Sequence, residues 1–297
     1  MTATQRREQW GWYFYDWANS AFYTSVVTVF FGPWLTVVAK AAADANGYIY
    51  PLGLRVRVGA YFPYLIALSV IVQVLVLPIA GAIADGLNIK KQMLAVCAYT
   101  GALATLAMYW VQGAHYLFGG ALFLLATLVY HPSIVFYNAF LPEIAAPDER
   151  DRVSSIGWAI GYLGGGLLLA LNLVLVAQAG RFGLTTEQAI RLSLASAGAW
   201  WAVFTLFPLL TLRNRGSVMA KPHNLLTSGF TRLRATFAKV RTSPQTLRFL
   251  LAYLLFNDGI QTVITLSSQF GQEELRLPIA VLTQVILLVP FVGVRNM

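Results

Sequence analysis

The sequence predicts an all-α membrane protein, on three observations: eight apolar runs long enough to cross a bilayer, a scarcity of charge, and basic residues gathered in the gaps between runs. Hydrophobic residues make up 58% of the 297 and charged ones 11%, against about 25% charged in soluble domains. Mean hydropathy is +0.63. Lipid offers no hydrogen bonds, so each backbone polar group must be satisfied within its own segment, and a span needs about 20 mostly apolar helical residues. Such runs cover roughly 12–39, 61–84, 93–111, 116–141, 154–177, 189–212, 247–270 and 278–294, the last being short and broken by Pro290.

The formal charge of +9 would suit nucleic acid only if it formed a stripe on a soluble face. Here it marks topology instead. With the N-terminus in the cytoplasm, the inner side holds Arg6, Arg7, Lys90, Lys91, Arg150, Arg152, Arg213, Arg215, Lys221, Arg232, Arg234, Lys239, Arg241, Arg248 and Arg295, which is 15 of 21. The remaining 6, Lys40, Arg55, Arg57, Arg181, Arg191 and Arg276, fall outside. The positive-inside rule therefore sets an N-inside, multi-pass protein of the inner (plasma) membrane. Arg6, Arg7 and Glu8 precede a long aromatic-rich run with no cleavage site, so no cleaved signal peptide is expected. Trp10, Trp12, Tyr13 and Trp17 fit an interfacial aromatic belt. Cys97, the single cysteine, lies in an apolar run as an inert thiol and supports neither a disulfide nor a thiolate metal site.

Residues 213–246 form the longest connection and contain no acidic residue. They divide a six-helix bundle, 1–212, from a two-helix segment of an incomplete second bundle, 247–297. Within this cytoplasmic linker Leu226, Phe230, Leu233, Phe237 and Val240 recur at helical spacing beside Arg232, Arg234, Lys239 and Arg241. A helix lying on an anionic leaflet and a solvated basic linker both account for the pattern.

Ionisable groups inside a span cost about 2.5–3.5 kcal/mol each on insertion scales, so they face a cavity or a partner. Asp16 and Asp258 are two such groups, and each opens an Asp-x-x-amide-hydroxyl sequence. Helical spacing places Asp16, Asn19, Ser20 and Tyr23 on one face of the first span, and Asp258, Gln261, Thr262 and Thr265 on one face of the seventh. Both aspartates sit at similar depth, nine residues after Arg7 and ten after Arg248. A duplicated six-helix unit predicts this match, and parallel repeats around a midplane site build one large class of secondary transporters. The carboxylates are candidates for proton coupling or for binding a solute ammonium; the plainer reading is a helix contact.

Span two ends in Gly81-Ala-Ile-Ala-Asp85-Gly86-Leu-Asn88-Ile-Lys90-Lys91. A glycine for close approach, a boundary aspartate and cytoplasmic lysines resemble the loop signature of the major facilitator superfamily, with Gly86, Asn88 and a displaced basic pair as departures. Gly81, Asp85, Lys90 and Lys91 are thus expected to act as a conformational latch, against a simple turn with topogenic charge. Span four carries Pro132, which permits a kink, and Thr127, His131 and Asn138 on one face. His131 and Asn138 join the candidate solute or proton pathway, although a lone helical histidine also serves as an interhelical hydrogen bond. Gly157, Gly161, Gly164, Gly165 and Gly166 give span five a small-residue surface for close packing or sliding.

Tyr15-Asp16-Trp17-Ala18-Asn19-Ser20-Ala21-Phe22, Phe136-Tyr137-Asn138-Ala139-Phe140-Leu141-Pro142-Glu143, Arg152-Val153-Ser154-Ser155-Ile156-Gly157-Trp158 and Asn257-Asp258-Gly259 together resemble the vacuole-effluxer branch of the major facilitator superfamily, from about residue 9 to about residue 280. That resemblance implies twelve helices in two bundles, alternating access and a small solute, amino acids among the candidates; proton coupling through the paired carboxylates is the expected drive, and no cofactor is expected. The chain ends after its eighth run on residues outside the family pattern, so it is expected to be truncated, and a nonfunctional fragment is an alternative. An intramembrane lipid-modifying enzyme is the other. It would need clustered carboxylates or zinc-spaced histidines, whereas His115, His131 and His223 are scattered and no second aspartate neighbours Asp85 or Asp258. The expected partners are a small solute, the bilayer and protons, with no nucleic acid and no metal.

Overall fold

The structure, a computed structural model, describes residues 2–215, 231, 233–235, 238–278 and 281. Among them are seven helical spans: α1 (Ala3–Ala41), α2 (Tyr61–Gly86), α3 (Lys90–Ala107), α4 (Tyr116–Asn138), α5 (Arg150–Ala177), α6 (Thr186–Thr211) and α7 (Pro244–Glu273). The eighth predicted run lies outside the described residues apart from Pro278 and Val281, as do Lys221, Leu226, Phe230, Arg232, Phe237 and Arg295 of the basic pattern. Of the linker, Leu233, Arg234, Lys239, Val240 and Arg241 are helical.

The helices outrun the apolar segments because capping and polar first turns extend them. Thr2 forms a capping box with Gln5, its hydroxyl accepting from the Gln5 N–H (3.2 Å) while its own N–H donates to Gln5 Oε1 (2.9 Å). That starts α1 nine residues ahead of the predicted run. Thr185 and Gln188 repeat the device at α6.

α1 is not uniform. Phe22–Phe30 is π-helical, with the Phe31 N–H reaching back five residues to the Val26 carbonyl and the Thr28 hydroxyl five residues to the Tyr23 carbonyl (3.1 Å). The stretch is rich in β-branched residues, which crowd a tighter turn, and Pro33 follows with no N–H to give. α-Helix resumes over Phe31–Ala41.

Spans α1, α3, α4, α5 and α6 enclose a core of Trp12, Tyr15, Phe22, Phe31, Phe123, Phe136 and Trp201, each at most 1% exposed. Cys97 is a buried free thiol, as its surroundings predict. One end of the bundle gathers the start of α1, the α2–α3 turn, the α4–α5 turn and the end of α6; it is called the N-terminal face here. At the opposite end a small hairpin joins α1 to α2, its strands β1 (Tyr48–Ile49) and β2 (Val56–Arg57) pairing antiparallel. An all-α reading missed it. Asp44 organises it by accepting from the Tyr48 N–H (2.9 Å), the Tyr50 hydroxyl (2.7 Å) and the Asn46 N–H (2.9 Å). The Tyr48 N–H, then the Tyr50 hydroxyl, hold that carboxyl below the usual range.

Candidate functional site

The N-terminal half of α1 is fixed from two sides. Toward α4, Gln9 Nε2 donates to the Ile144 carbonyl (2.9 Å), Trp12 Nε1 to the Tyr137 carbonyl (3.0 Å), and the Tyr15 hydroxyl to Ser133 Oγ (2.6 Å). Trp12 also stacks on Tyr137, centroids 4.2 Å apart. Trp12 and Tyr13 are buried, and Trp17 stacks on Trp200 at 5.6 Å. Helix partners therefore claim these rings, against the aromatic-belt expectation, while Trp10 is half exposed.

Toward α5, the glycine surface does what its spacing predicts. A Cβ on Gly157 would stand 2.5 Å from the Trp12 ring, on Gly161 2.9 Å from Ser20 Oγ and 3.2 Å from Asp16 Cβ, and on Gly164 2.8 Å from the Trp17 carbonyl. Asp16 and Ser20 thus lie directly on α5. The Asp16 carboxylate points toward the Tyr137 hydroxyl and the Asn19 amide. Asn19 is buried and its amide donates to the Tyr15 carbonyl of its own helix (2.9 Å). Tyr130, seated beside Tyr23 and Trp201, completes an aromatic wall.

α7 meets α1 along a polar seam. The Tyr23 hydroxyl donates to Gln261 Oε1 (2.9 Å), Gln269 Nε2 to Thr36 Oγ1 (3.2 Å) and to the Gly59 carbonyl (3.0 Å), and Lys40 Nζ to Glu273 (2.7 Å). Gln261, Gln269 and Glu273 are spaced by multiples of four and share one face. These bonds begin at Tyr23 and run toward the hairpin end. Asp258 and Thr262 are exposed, and no hydrogen bond or ion pair joins Asp258 to Asp16. Among the residues the sequence singled out, the two stripes touch where Tyr23 meets Gln261 and Thr265.

The other candidates separate. His131 Nδ1 lies 3.0 Å from the Thr127 carbonyl of its own helix, so it makes an intrahelical contact rather than an interhelical one. α4 continues through Pro132, and Asn138, its last residue, is exposed. Near the end of α2, a Cβ on Gly81 would meet nothing within 4 Å among the described residues. Asp85 is exposed. Lys90 pairs with Glu143 and donates to the Ala139 carbonyl (3.3 Å). The Lys91 backbone N–H donates to Asn214 Oδ1 (2.9 Å). Glu8 is bound by Arg215 Nη2 (2.5 Å), whose Nη1 donates to the Glu143 carbonyl (3.2 Å). Sequence reasoning missed Glu8, Glu143, Tyr137 and Arg215. Of these, Tyr137 and Glu143 stood in the Phe136-to-Glu143 motif, which did not reveal their contacts.

Seven helical spans long and apolar enough to cross a bilayer, the first and seventh joined by polar contacts, define a multi-pass α-helical membrane protein. A family model described as vacuole effluxer Atg22 like matches residues 4–295, and the chain belongs to that family. It is 29% identical over 269 residues to an uncharacterized MFS-type transporter, YxiO, of Bacillus subtilis, covering 90% of this chain and 60% of the relative. It is 25% identical to autophagy-related protein 22-1 of Penicillium rubens over 98% of this chain and 66% of the relative. The same identity holds to autophagy-related protein 22 of Coccidioides immitis, over 94% and 61%. The chain thus spans under two thirds of the length of these relatives. No solved structure matches. An effluxer family and a relative named a transporter set the enzyme alternative aside.

Proposed function

We infer that the chain is a secondary active transporter of a small solute, working by alternating access, with Asp16 and Asp258 as its proton- or ammonium-binding carboxylates. The observation that carries this reading is the bond from Tyr23 to Gln261, which joins the two matched polar stripes. On the α7 face Asp258 lies three residues from Gln261 toward the N-terminal face, and on α1 Asp16 lies seven residues from Tyr23 in the same direction. Both aspartates therefore stand where the seam ends and the spans part. In this reading the two carboxylates flank the solute path on that side of the bond, while the hairpin end is closed by Gln269 and by the pair of Lys40 with Glu273. The N-terminus faces the cytoplasm in this reading, residues 1–212 and 247–297 are the parts of two bundles, and residues 213–246 connect them. Amino acids are the solute class the family resemblance supports, moved by efflux as the family description has it.

The test is solute flux in proteoliposomes under an imposed proton gradient. Asp16→Asn and Asp258→Asn are each expected to abolish flux with no loss of folded protein by gel filtration. Wild-type flux in either variant removes that carboxylate from the mechanism.

A further inference from the structure

At the N-terminal face, two pairs of neighbouring cations are treated differently. Lys90 is matched by Glu143 and Arg215 by Glu8. Lys91 and Arg213, beside them in sequence, form no ion pair among the described residues, and both line an open cavity of about 400 Å³ between the start of α3 and the end of α6. No Asp or Glu is among the described residues that line it. Asn214 fixes one edge by accepting from the Lys91 N–H and donating to the Asn88 carbonyl (3.0 Å) and Gln92 Oε1 (2.7 Å). Ala95, Leu209 and Leu212 form the apolar side.

We propose that this notch binds an anionic phospholipid, its phosphate held between Lys91 and Arg213 and an acyl chain lying along Ala95 and Leu209. Both cations sit at span ends, the depth at which headgroups lie. The notch opens on an apolar surface, with Val96, Leu103, Leu206 and Leu210 all exposed, so its natural occupant carries hydrocarbon as well as charge. A free phosphate would use the cations and leave that surface uncovered.

Native mass spectrometry and thermal melts of the full chain in neutral detergent test this, with dioleoylphosphatidylglycerol, dioleoylphosphatidylcholine and inorganic phosphate as separate probes. Phosphatidylglycerol is expected to give a retained one-to-one adduct and raise Tm, and the other two to do neither. Lys91→Gln combined with Arg213→Gln should weaken the adduct about 30-fold, the loss expected for two interfacial cations. Lys91→Arg with Arg213→Lys should retain it, and Arg181→Gln at the opposite end should leave it unchanged. Equal binding of phosphatidylcholine, equal stabilisation by inorganic phosphate, or an undiminished adduct in the double glutamine variant would each overturn the lipid site.

Discussion

Glu8 is the one fully buried charged residue among the described residues, and its partner Arg215 keeps 38% of its side chain exposed. The asymmetry decides what each deletion costs. Removing Arg215 leaves a carboxylate enclosed without its counter-charge, a situation that costs about 3 kcal/mol or more. Removing the charge from Glu8 leaves an arginine that can turn to solvent. Arg215→Ala is therefore expected to lower the stability of detergent-purified protein by about 3 kcal/mol, and Glu8→Gln by less than half of that. Equal losses in the two melts would refute the argument. Little of this pairing was legible beforehand. Arg6, Arg7 and Glu8 read as one polar N-terminal stretch, because sequence shows charge but not which of three neighbouring side chains turns inward. Asp16 and Gln261 were legible, since a polar residue in an apolar helix announces itself by contrast.

Helix–helix contact in lipid gains nothing from hydrophobic exclusion and depends on close packing, which explains the glycine surface of α5. Intrinsic propensity and packing make opposite predictions there. Alanine is favoured over glycine in a helix by about 1 kcal/mol, yet a Cβ on Gly164 would press on the Trp17 carbonyl, and overpacking costs about 1–3 kcal/mol. Gly164→Ala is expected to lower Tm. Gly81→Ala, where the new methyl meets open space, should raise it. A higher Tm for both would mean that α5 does not pack on α1 this tightly. Glycine spacing gave that interface in advance, and the span count followed from run length. The π-helical turn did not. A period of 3.6 carried from Asp16 stays in phase only as far as Tyr23, and the Phe22–Phe30 segment rotates everything beyond it. Thr36 and Lys40 therefore reached α7 unannounced, and the hairpin escaped because its strands are only two residues long.

At the scale of the molecule, the seam between α1 and α7 carries polar contacts at intervals and ends in a half-exposed ion pair, Lys40 with Glu273. Such a pair contributes up to about 1 kcal/mol, too little to lock α7 onto α1 and enough to bias the two states of similar energy that the proposed alternating access requires. A shift of 1 kcal/mol changes their ratio about fivefold. Ser268 offers a probe for opening, because it is 1% exposed with a hydroxyl that has no partner, so Ser268→Cys is nearly isosteric. In a Cys97→Ala background, labelling of that cysteine by a membrane-impermeant thiol reagent reports how often the hairpin end of the seam opens. Lys40→Glu, which sets two carboxylates against each other, should speed labelling about fivefold, and Glu273→Lys should do the same with two ammonium groups. Combining both reverses the pair without losing it and should return the rate to that of the parent. If single reversals leave the rate unchanged, or the double reversal fails to restore it, closure of the seam rests on Gln269 and Tyr23 alone and the ion pair has no part in the switch.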